Sequence, residues 1–136
     1  MNIIYFDYKP IKVKVAITSD EQSSGLMFVS KAEPMAFPFN RSAVRSFWMK
    51  DTIVPLDIIF SFKGIVTAVL KGEPLSTKHI GPNTITDLVV ELPYGLAADA
   101  GAYVGAKVKL CYDVATLARK FSAKLAEVEQ SGFLLR

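Results

Sequence analysis

The sequence predicts a mainly β domain, of β-sandwich, jelly-roll or partly open barrel type, with two short helices and a C-terminal amphipathic helix. Several short segments alternate apolar and polar residues with the two-residue period of a strand. Clusters of Gly, Pro and Asn separate these segments and supply turns. Strands at this spacing, with brief helical excursions, argue against alternating βα units. At 136 residues, 51% hydrophobic and 21% charged, the chain has the size and composition of one globular domain, 1–136.

The first predicted elements are a strand and a short helix. β-Branched residues at every second position predict a half-buried strand over residues 11–17. Thr18 followed three residues later by Glu21 forms a capping box, and Gly25 offers a left-handed stop, so residues 19–24 are predicted to be helical. Residues 31–40 contain two prolines and are expected to form a loop or a ragged edge strand.

Five further strands and a second short helix complete a β core of residues 11–112. Residues 72–83 are polar and broken by glycines and prolines, so they predict the longest loop. Pro93 stands where a helix begins. The predicted strands are 44–50, 56–62, 65–70, 84–92 and 107–112, and the helix is 94–100.

Residues 113–136 form a predicted helical extension. Asp113 is a candidate N-cap, and apolar residues then recur at helical spacing to about residue 131. We expect this apolar stripe to cover the sheet, with self-association as the alternative, in which case cutting after Asp113 would alter the oligomeric state. The residues available for self-association are Val114, Leu117, Phe121, Leu125 and Val128.

Composition limits the classes of partner and the cellular compartment that we expect for this protein. The net charge is +3, but the 12 lysines are scattered, which is typical of a solvated surface and argues against nucleic-acid binding. The N-terminal residues lack the pattern of a signal peptide, and no stretch has the roughly 18 apolar residues of a membrane span. We therefore expect a cytoplasmic protein with no membrane partner. One histidine, His79, and one cysteine, Cys111, predict neither a metal site nor a cofactor.

The candidate site lies in residues 45–60, where charged groups interrupt apolar strands. Asp57 is flanked by bulky apolar residues, so we expect a cationic partner, with Arg45 favoured over Lys50, or a role in capping a turn. Trp48 is expected in the core, with a stacking platform as the alternative. Lys50, Asp51 and Thr52 follow at an exposed rim, which is the best candidate for a binding site.

Four sequence blocks resemble the family of domain of unknown function 192. In the order of that family they are Gly25-Leu26-Met27-Phe28, Phe47-Trp48-Met49-Lys50-Asp51-Thr52, Pro55-Leu56-Asp57-Ile58-Ile59-Phe60 and Glu91-Leu92-Pro93-Tyr94-Gly95. The resemblance implies a compact, mostly β domain of sandwich or jelly-roll type and no established activity. The chain departs from the family pattern at three places: Val29-Ser30-Lys31 replaces an arginine, Asp51 replaces an asparagine, and Pro34-Met35-Ala36-Phe37 replaces Gly-Met-Leu-Phe.

Three functions are compatible with these residues. The favoured hypothesis is a non-enzymatic module that binds a small molecule, a glycan or a peptide through Arg45, Trp48, Lys50, Asp51, Thr52 and Asp57, together with loop 72–83. The second is a hydrolase that uses Asp57 and Glu91 as a carboxylate pair, which requires that both face one cleft. The third is a structural or assembly protein that acts through its C-terminal helix.

Overall fold

A computed structural model describes residues 1–131, with side chains to residue 126. As predicted, the fold is mainly β, and the described residues form seven strands and three helices. The strands are β1 (Asn2–Phe6), β2 (Lys9–Val15), β3 (Met35–Val44), β4 (Leu56–Phe62), β5 (Ile65–Gly72), β6 (Ile85–Pro93) and β7 (Val108–Cys111). The helices are α1 (Ser19–Ser24), α2 (Leu96–Ala100) and α3 (Val114–Ser131).

All seven strands belong to one mixed sheet in the order β5-β4-β6-β3-β2-β1-β7. Strands β2 and β3 pair in parallel, and the remaining neighbours pair antiparallel. The sheet is not closed into a barrel. Its two edges approach each other around the isolated bridge between Ile65 and Lys107, where backbone hydrogen bonds join residues 64–66 to residues 105–108.

The two faces of the sheet bury two separate apolar clusters. Because side chains alternate along a strand, Ile58 and Ile59 of β4 point to opposite faces. The first cluster, the α2 core, includes Ile4, Phe6, Ile59, Val90, Leu92, Ala97 and Ala100. The second, the Phe37 core, includes Leu26, Phe37, Met49, Leu56, Ile58, Phe60 and Val89.

The largest difference from the sequence prediction concerns β3. Residues 35–44 form a central strand between β2 and β6, whereas residues 31–40 were expected to be a loop or an edge and residues 44–50 a strand. Pro34 and Ala36 direct their carbonyls to β2, accepting from Lys14 and Ala16. The backbone of Pro38 also points toward the β2 side of the strand, but Pro38 lies past the end of β2. Its missing N–H therefore costs no hydrogen bond of the sheet.

The core also begins earlier in the chain than residue 11. Strand β1 pairs with β2 in a hairpin and with β7 on its other side. Asp7 adopts φ 53° in the hairpin turn, and its carboxylate accepts hydrogen bonds from the Lys107 N–H and the Tyr103 hydroxyl. These two acceptor contacts lower the pKa of Asp7. The sequence prediction missed β1 because its apolar run does not alternate.

The two short helices are confirmed. Thr18 caps α1 by accepting from the Glu21 N–H at 3.1 Å, while the Glu21 carboxylate accepts from the Thr18 N–H at 3.0 Å, which completes the capping box. Helix α2 is bounded by Gly95 and Gly101, both with positive φ.

Helix α3 begins after Asp113, whose carboxylate accepts from the Thr116 N–H as predicted for an N-cap. Its polar residues face the β domain: Thr116 bonds Asn2, and Arg119 pairs with Glu21 of α1. The expectation that the apolar stripe covers the sheet is therefore wrong, because the exposed fractions are 87% at Val114, 48% at Leu117, 70% at Phe121 and 41% at Leu125. Val128 lies beyond the described side chains. Among the helices of residues 1–131, none combines the length and the apolar character that crossing a membrane requires.

Candidate functional site

A pocket of about 310 Å³ opens beside the Phe37 core, between α1 and the segment that joins β3 to β4. We call it the Glu91 pocket, after the carboxyl group that lines it. Its apolar lining comprises Leu26, Met27, Phe37, Phe39, Phe47 and Trp48. Its polar lining includes Ser19, Gln22, Ser23, Ser24, Arg45, Ser46, Thr52 and Glu91. The pocket thus brings residues 45–48 and Thr52 of the predicted rim together with Glu91.

Loop 73–84 supports this rim from behind. The main chain of Phe47 exchanges hydrogen bonds with Ile80 in both directions, at 2.8 and 2.7 Å, and the Met49 N–H donates to the Ser76 carbonyl. His79 lies within 3.2 Å of the Ser46 hydroxyl. None of the described pocket-lining residues comes from loop 73–84, so the predicted participation of residues 72–83 is indirect: the loop holds the rim in place.

The opposite wall is α1 and the turn that follows it, which the sequence reasoning did not assign to the site. The Phe28 N–H donates to the Asp51 carbonyl at 2.8 Å and so ties this turn to the rim. Gln22 donates to the carbonyls of Ala16 and Pro38, which fixes α1 over β3. The block Gly25 to Phe28 in the family resemblance was the available signal for this wall.

Aromatic rings pack edge to face at the base of the pocket. Phe47 contacts Phe37 with ring centroids 5.2 Å apart and Phe60 at 5.9 Å, with interplanar angles of 80° and 86°. Phe39 completes the group at 6.4 Å from Phe47. This arrangement suits the ring quadrupoles and gives the pocket a rigid apolar wall.

Trp48 lies at the rim and not in the core, with 43% of its surface exposed. The Lys50 ammonium is 5.4 Å from its ring centroid, and the His79 ring packs against its edge at 6.0 Å. The structure therefore contradicts the predicted core position. The residue that fills the core here is its neighbour Met49, which is fully buried.

Asp51 and Thr52 form the turn at the end of the rim. Asp51 has φ 55°, a left-handed conformation that Asn and Asp tolerate better than most residues. Thr52 is buried, and its hydroxyl donates to the Lys50 carbonyl at 3.1 Å. Thr52 lines the pocket, whereas Lys50 and Asp51 lie outside it.

Asp57 and Arg45 do not pair, which overturns the expected ion pair. Asp57 Oδ2 accepts hydrogen bonds from the N–H groups of Gly95 and Ala97 at 2.9 and 3.0 Å, at the start of α2. Arg45 lies over the Phe39 ring at 4.1 Å and donates to the Arg41 carbonyl. Asp57 is thus satisfied by backbone donors, and its role is the capping role that the sequence also allowed.

Asp57 and Glu91 lie on opposite faces of the sheet. In the β4–β6 ladder Ile58 stands opposite Glu91 and Asp57 stands opposite Leu92. Directly opposed residues share a face, so Glu91 faces the Phe37 core and Asp57 faces the α2 core. The carboxylate pair of the hydrolase hypothesis is therefore not formed.

Glu91 is the unusual group of the site. It is only 4% exposed, and no described residue donates a hydrogen bond to its carboxyl group or forms an ion pair with it. Burial raises the pKa of Glu91 from the usual 4.5 to about 7, and no neighbouring cation offsets this effect. Among the described side chains, those of residues 1–126, no three His, Cys, Asp or Glu come together as metal ligands.

Comparisons with known proteins agree with the sequence blocks. A solved structure of a protein of unknown function from Novosphingobium aromaticivorans DSM 12444 is 31% identical, covers 79% of this chain and 82% of its own, and has a TM-score of 0.71. A solved structure from Sinorhizobium meliloti 1021, described as a candidate transcription regulator, shares the fold with a TM-score of 0.71. It is 22% identical in sequence, and the match covers 79% of this chain and 90% of its own. Among curated proteins none matches. The family model of domain of unknown function 192, described as "Uncharacterized ACR", matches residues 3–110, and the chain belongs to this family.

Proposed function

We propose that this protein binds a small molecule in the Glu91 pocket without catalysing a reaction on it. The observation that carries the proposal is that three of the four blocks of the family resemblance line this one pocket. They contribute Gly25 to Met27 from the first block, Phe47, Trp48 and Thr52 from the second, and Glu91 from the last. Aromatic walls with a few convergent polar groups are typical of ligand sites.

The size of the pocket favours a small ligand over a glycan chain or a peptide. Its volume of about 310 Å³ is at the lower end of the range of about 300 to 1,000 Å³ that ligand pockets span. Binding is favoured over acid–base catalysis because Glu91 has no second carboxyl group beside it. The described lining also contains no histidine, cysteine or lysine that would activate a serine hydroxyl.

A thermal-shift screen of small metabolites, repeated on two variants, tests the proposal. Trp48→Ala removes the aromatic ring at the pocket rim, and Tyr94→Ala is its matched control. Tyr94 is also an exposed aromatic residue, with the Lys71 ammonium 4.3 Å from its ring centroid, but it does not line the pocket. A true ligand raises Tm by mass action. We expect hits whose shift decreases in Trp48→Ala and persists in Tyr94→Ala; hits with the reverse pattern, or no hits, contradict the proposal.

We propose self-association through α3 as a second function. The exposed apolar stripe supports it, since a solvated helix face of this kind is typical of an interaction surface. The partner we infer is a second copy of this chain. In sequence, the helix is basic over residues 119–124 and acidic over residues 127–129, so two antiparallel copies place basic halves against acidic halves.

Sedimentation velocity tests this second proposal. We expect dimers of the full chain at micromolar concentration and monomers of Phe121→Glu, which places a charge in the stripe. Tyr8→Glu is the control, because Tyr8 is an exposed aromatic in the β1–β2 turn, far along the chain from α3. A full chain that sediments as a monomer, or a Phe121→Glu variant that remains a dimer, would show that the stripe does not pair.

A further inference from the structure

The environment of Glu91 indicates which ligands the pocket takes. Both buried carboxyl groups of the β4–β6 ladder are almost inaccessible to solvent, but Asp57 receives two backbone N–H donors and Glu91 receives none from the described residues. A Cβ on Gly25 would lie 3.6 Å from Glu91 Oε1, so the absence of a side chain at Gly25 leaves room beside this oxygen. A carboxyl group that is nearly enclosed and has no protein partner is unfavourable unless something in the pocket supplies a donor. The pocket thus lacks a donor at its base.

The surrounding rings favour a donor that carries positive charge. Two rings of the lining already hold cations on their faces, with Arg45 over Phe39 at 4.1 Å and Lys50 over Trp48 at 5.4 Å. An ammonium group near aromatic faces is stabilised by the ring quadrupoles, and more strongly where water is excluded. Carboxylate and aromatic walls together therefore complement an organic cation.

We propose that the Glu91 pocket binds a small primary or secondary ammonium compound whose N–H groups donate to the Glu91 carboxylate and whose apolar body packs against Phe37, Phe47 and Trp48. This inference rests on the proposed small-molecule function. A quaternary ammonium would leave the carboxylate without a hydrogen bond, so it fits less well. A bare metal ion fits poorly, because Glu91 is the one carboxylate in the described lining.

Arg45 is the other charged group among the described lining residues, and its Nε is fully buried without a hydrogen-bond partner. One terminal nitrogen of its guanidinium donates to the Arg41 carbonyl and the group lies over the Phe39 ring, and this charge does not offset the effect of burial on the pKa of Glu91. A bound ammonium favours the ionised carboxyl group, so binding below pH 7 releases a proton from Glu91. Affinity for an ammonium compound should therefore rise between pH 6 and pH 8, while the ligand itself stays protonated.

Isothermal titration calorimetry with matched probes tests the inference. The probes are butylammonium and benzylammonium, with benzyl alcohol and benzoate as neutral and anionic counterparts of the same shape, on the full chain and on Glu91→Gln. We expect an ammonium probe to bind more tightly than its counterparts, and Glu91→Gln to weaken it by about thirtyfold or more, since the variant removes one partner of a buried charge pair. Binding at pH 6 in buffers of different ionisation enthalpy should show proton release.

The outcomes separate this inference from the proposed function. If benzyl alcohol or benzoate binds as tightly as benzylammonium, or Glu91→Gln binds ammonium undiminished, the pocket is a ligand site but not an ammonium site. If neither ammonium probe binds, the ammonium inference fails, and the metabolite screen with Trp48→Ala then decides the proposed function separately. Glu91→Gln is nearly isosteric and loses no described hydrogen bond, so its folding can be verified by circular dichroism.

Discussion

Asp57 and Glu91 show how immediate surroundings decide what a buried acid does. They stand on neighbouring strands, one register position apart, and differ in the donors that reach them. Asp57 organises the first turn of α2 through two backbone hydrogen bonds. Glu91 is desolvated, and no described residue stabilises its ionised form by a hydrogen bond or an ion pair.

Replacing Asp57 tests its capping role. Asp57→Ala leaves the N–H groups of Gly95 and Ala97 without an acceptor, and we expect it to lower the free energy of unfolding by about 2–3 kcal/mol. Asp57→Asn keeps an acceptor oxygen and should cost less. Urea denaturation of both variants, alone and combined with Arg45→Ala, provides the measurement. A coupling energy between Asp57 and Arg45 above experimental error would show that the two side chains interact, and would contradict the role of Asp57 as a cap.

Glu91 makes stability depend on pH in a defined direction. Its pKa is about 7 in the folded protein and about 4.5 unfolded, so the folded state holds the extra proton between these values. The contribution of Glu91 to the free energy of unfolding is therefore most favourable below about pH 4.5, and it is lost as the pH rises through about 7. The difference corresponds to about 3 kcal/mol.

Glu91→Gln should remove most of this dependence. Chemical denaturation at pH 5 and pH 8 is expected to show a marked loss of stability for the natural sequence and a nearly flat response for the variant. The N-terminal ammonium, together with hydrogen bonds from Thr116, holds the pKa of Asp113 at about 2, so this group stays ionised at both pH 5 and pH 8. Parallel pH profiles for the two proteins would mean that Glu91 is not the desolvated acid that its position indicates.

At the scale of elements, the rim is held by a loop and not by a full strand ladder. Residues 45–52 contribute one isolated bridge, between Phe47 and Ile80, and are placed further by hydrogen bonds to loop 73–84 and to the turn after α1. The two segments approach closely at Gly81, where a Cβ would lie 2.5 Å from the Arg45 carbonyl oxygen. Glycine is required here because any side chain would push the rim backbone away.

Gly81→Ala should therefore displace the rim. We expect a loss of about 1–3 kcal/mol in the free energy of unfolding, as for other overpacked sites. A change in Trp48 fluorescence should accompany it, because Trp48 stands on the displaced segment. Thr77→Ala, an exposed substitution in the same loop, is the control. If Gly81→Ala is as stable as this control, the close approach does not hold the rim.

At the scale of the whole molecule, we propose that α3 is an appendage to the β domain. The family match ends at residue 110, before the helix begins. Polar contacts attach the helix to the domain, chiefly the Asn2–Thr116 hydrogen bond and the Arg119–Glu21 ion pair, both at 2.8–2.9 Å. The apolar side chains described in the helix, to residue 126, are exposed or half-buried, so its removal should cost the domain little.

Truncation after Asp113 tests this division. We expect the remaining domain to fold with a loss of about 1–2 kcal/mol, because one hydrogen bond and one half-exposed ion pair are removed. We also expect it to sediment as a monomer. Calorimetry and sedimentation velocity measure the two quantities. An unfolded product would show that the helix is part of the core, and an unchanged dimer would place the interface on the β domain.

The parts of the fold that the sequence predicted are those set by local chemistry. The capping box of Thr18 and Glu21, the Asp113 N-cap and the alternation of β4 all depend on residues a few positions apart. Strand β3 could not be predicted in this way, because the cost of Pro38 depends on where β2 ends. The sequence indicated both Asp57 and Glu91 as candidate residues. That they lie on opposite faces of the sheet could be known only from the register between β4 and β6.

By itself the sequence determined the mainly β class, the short capped helices, the helical tail and membership of an uncharacterised family. Each of these follows from side-chain period, turn residues and caps, or from blocks that can be read directly. Only the tertiary structure decided that α1 walls the pocket, that Trp48 stands at its rim, that Glu91 has no donor and that α3 turns its apolar face outward. Those facts depend on groups that are distant in the chain and meet only through sheet order and packing.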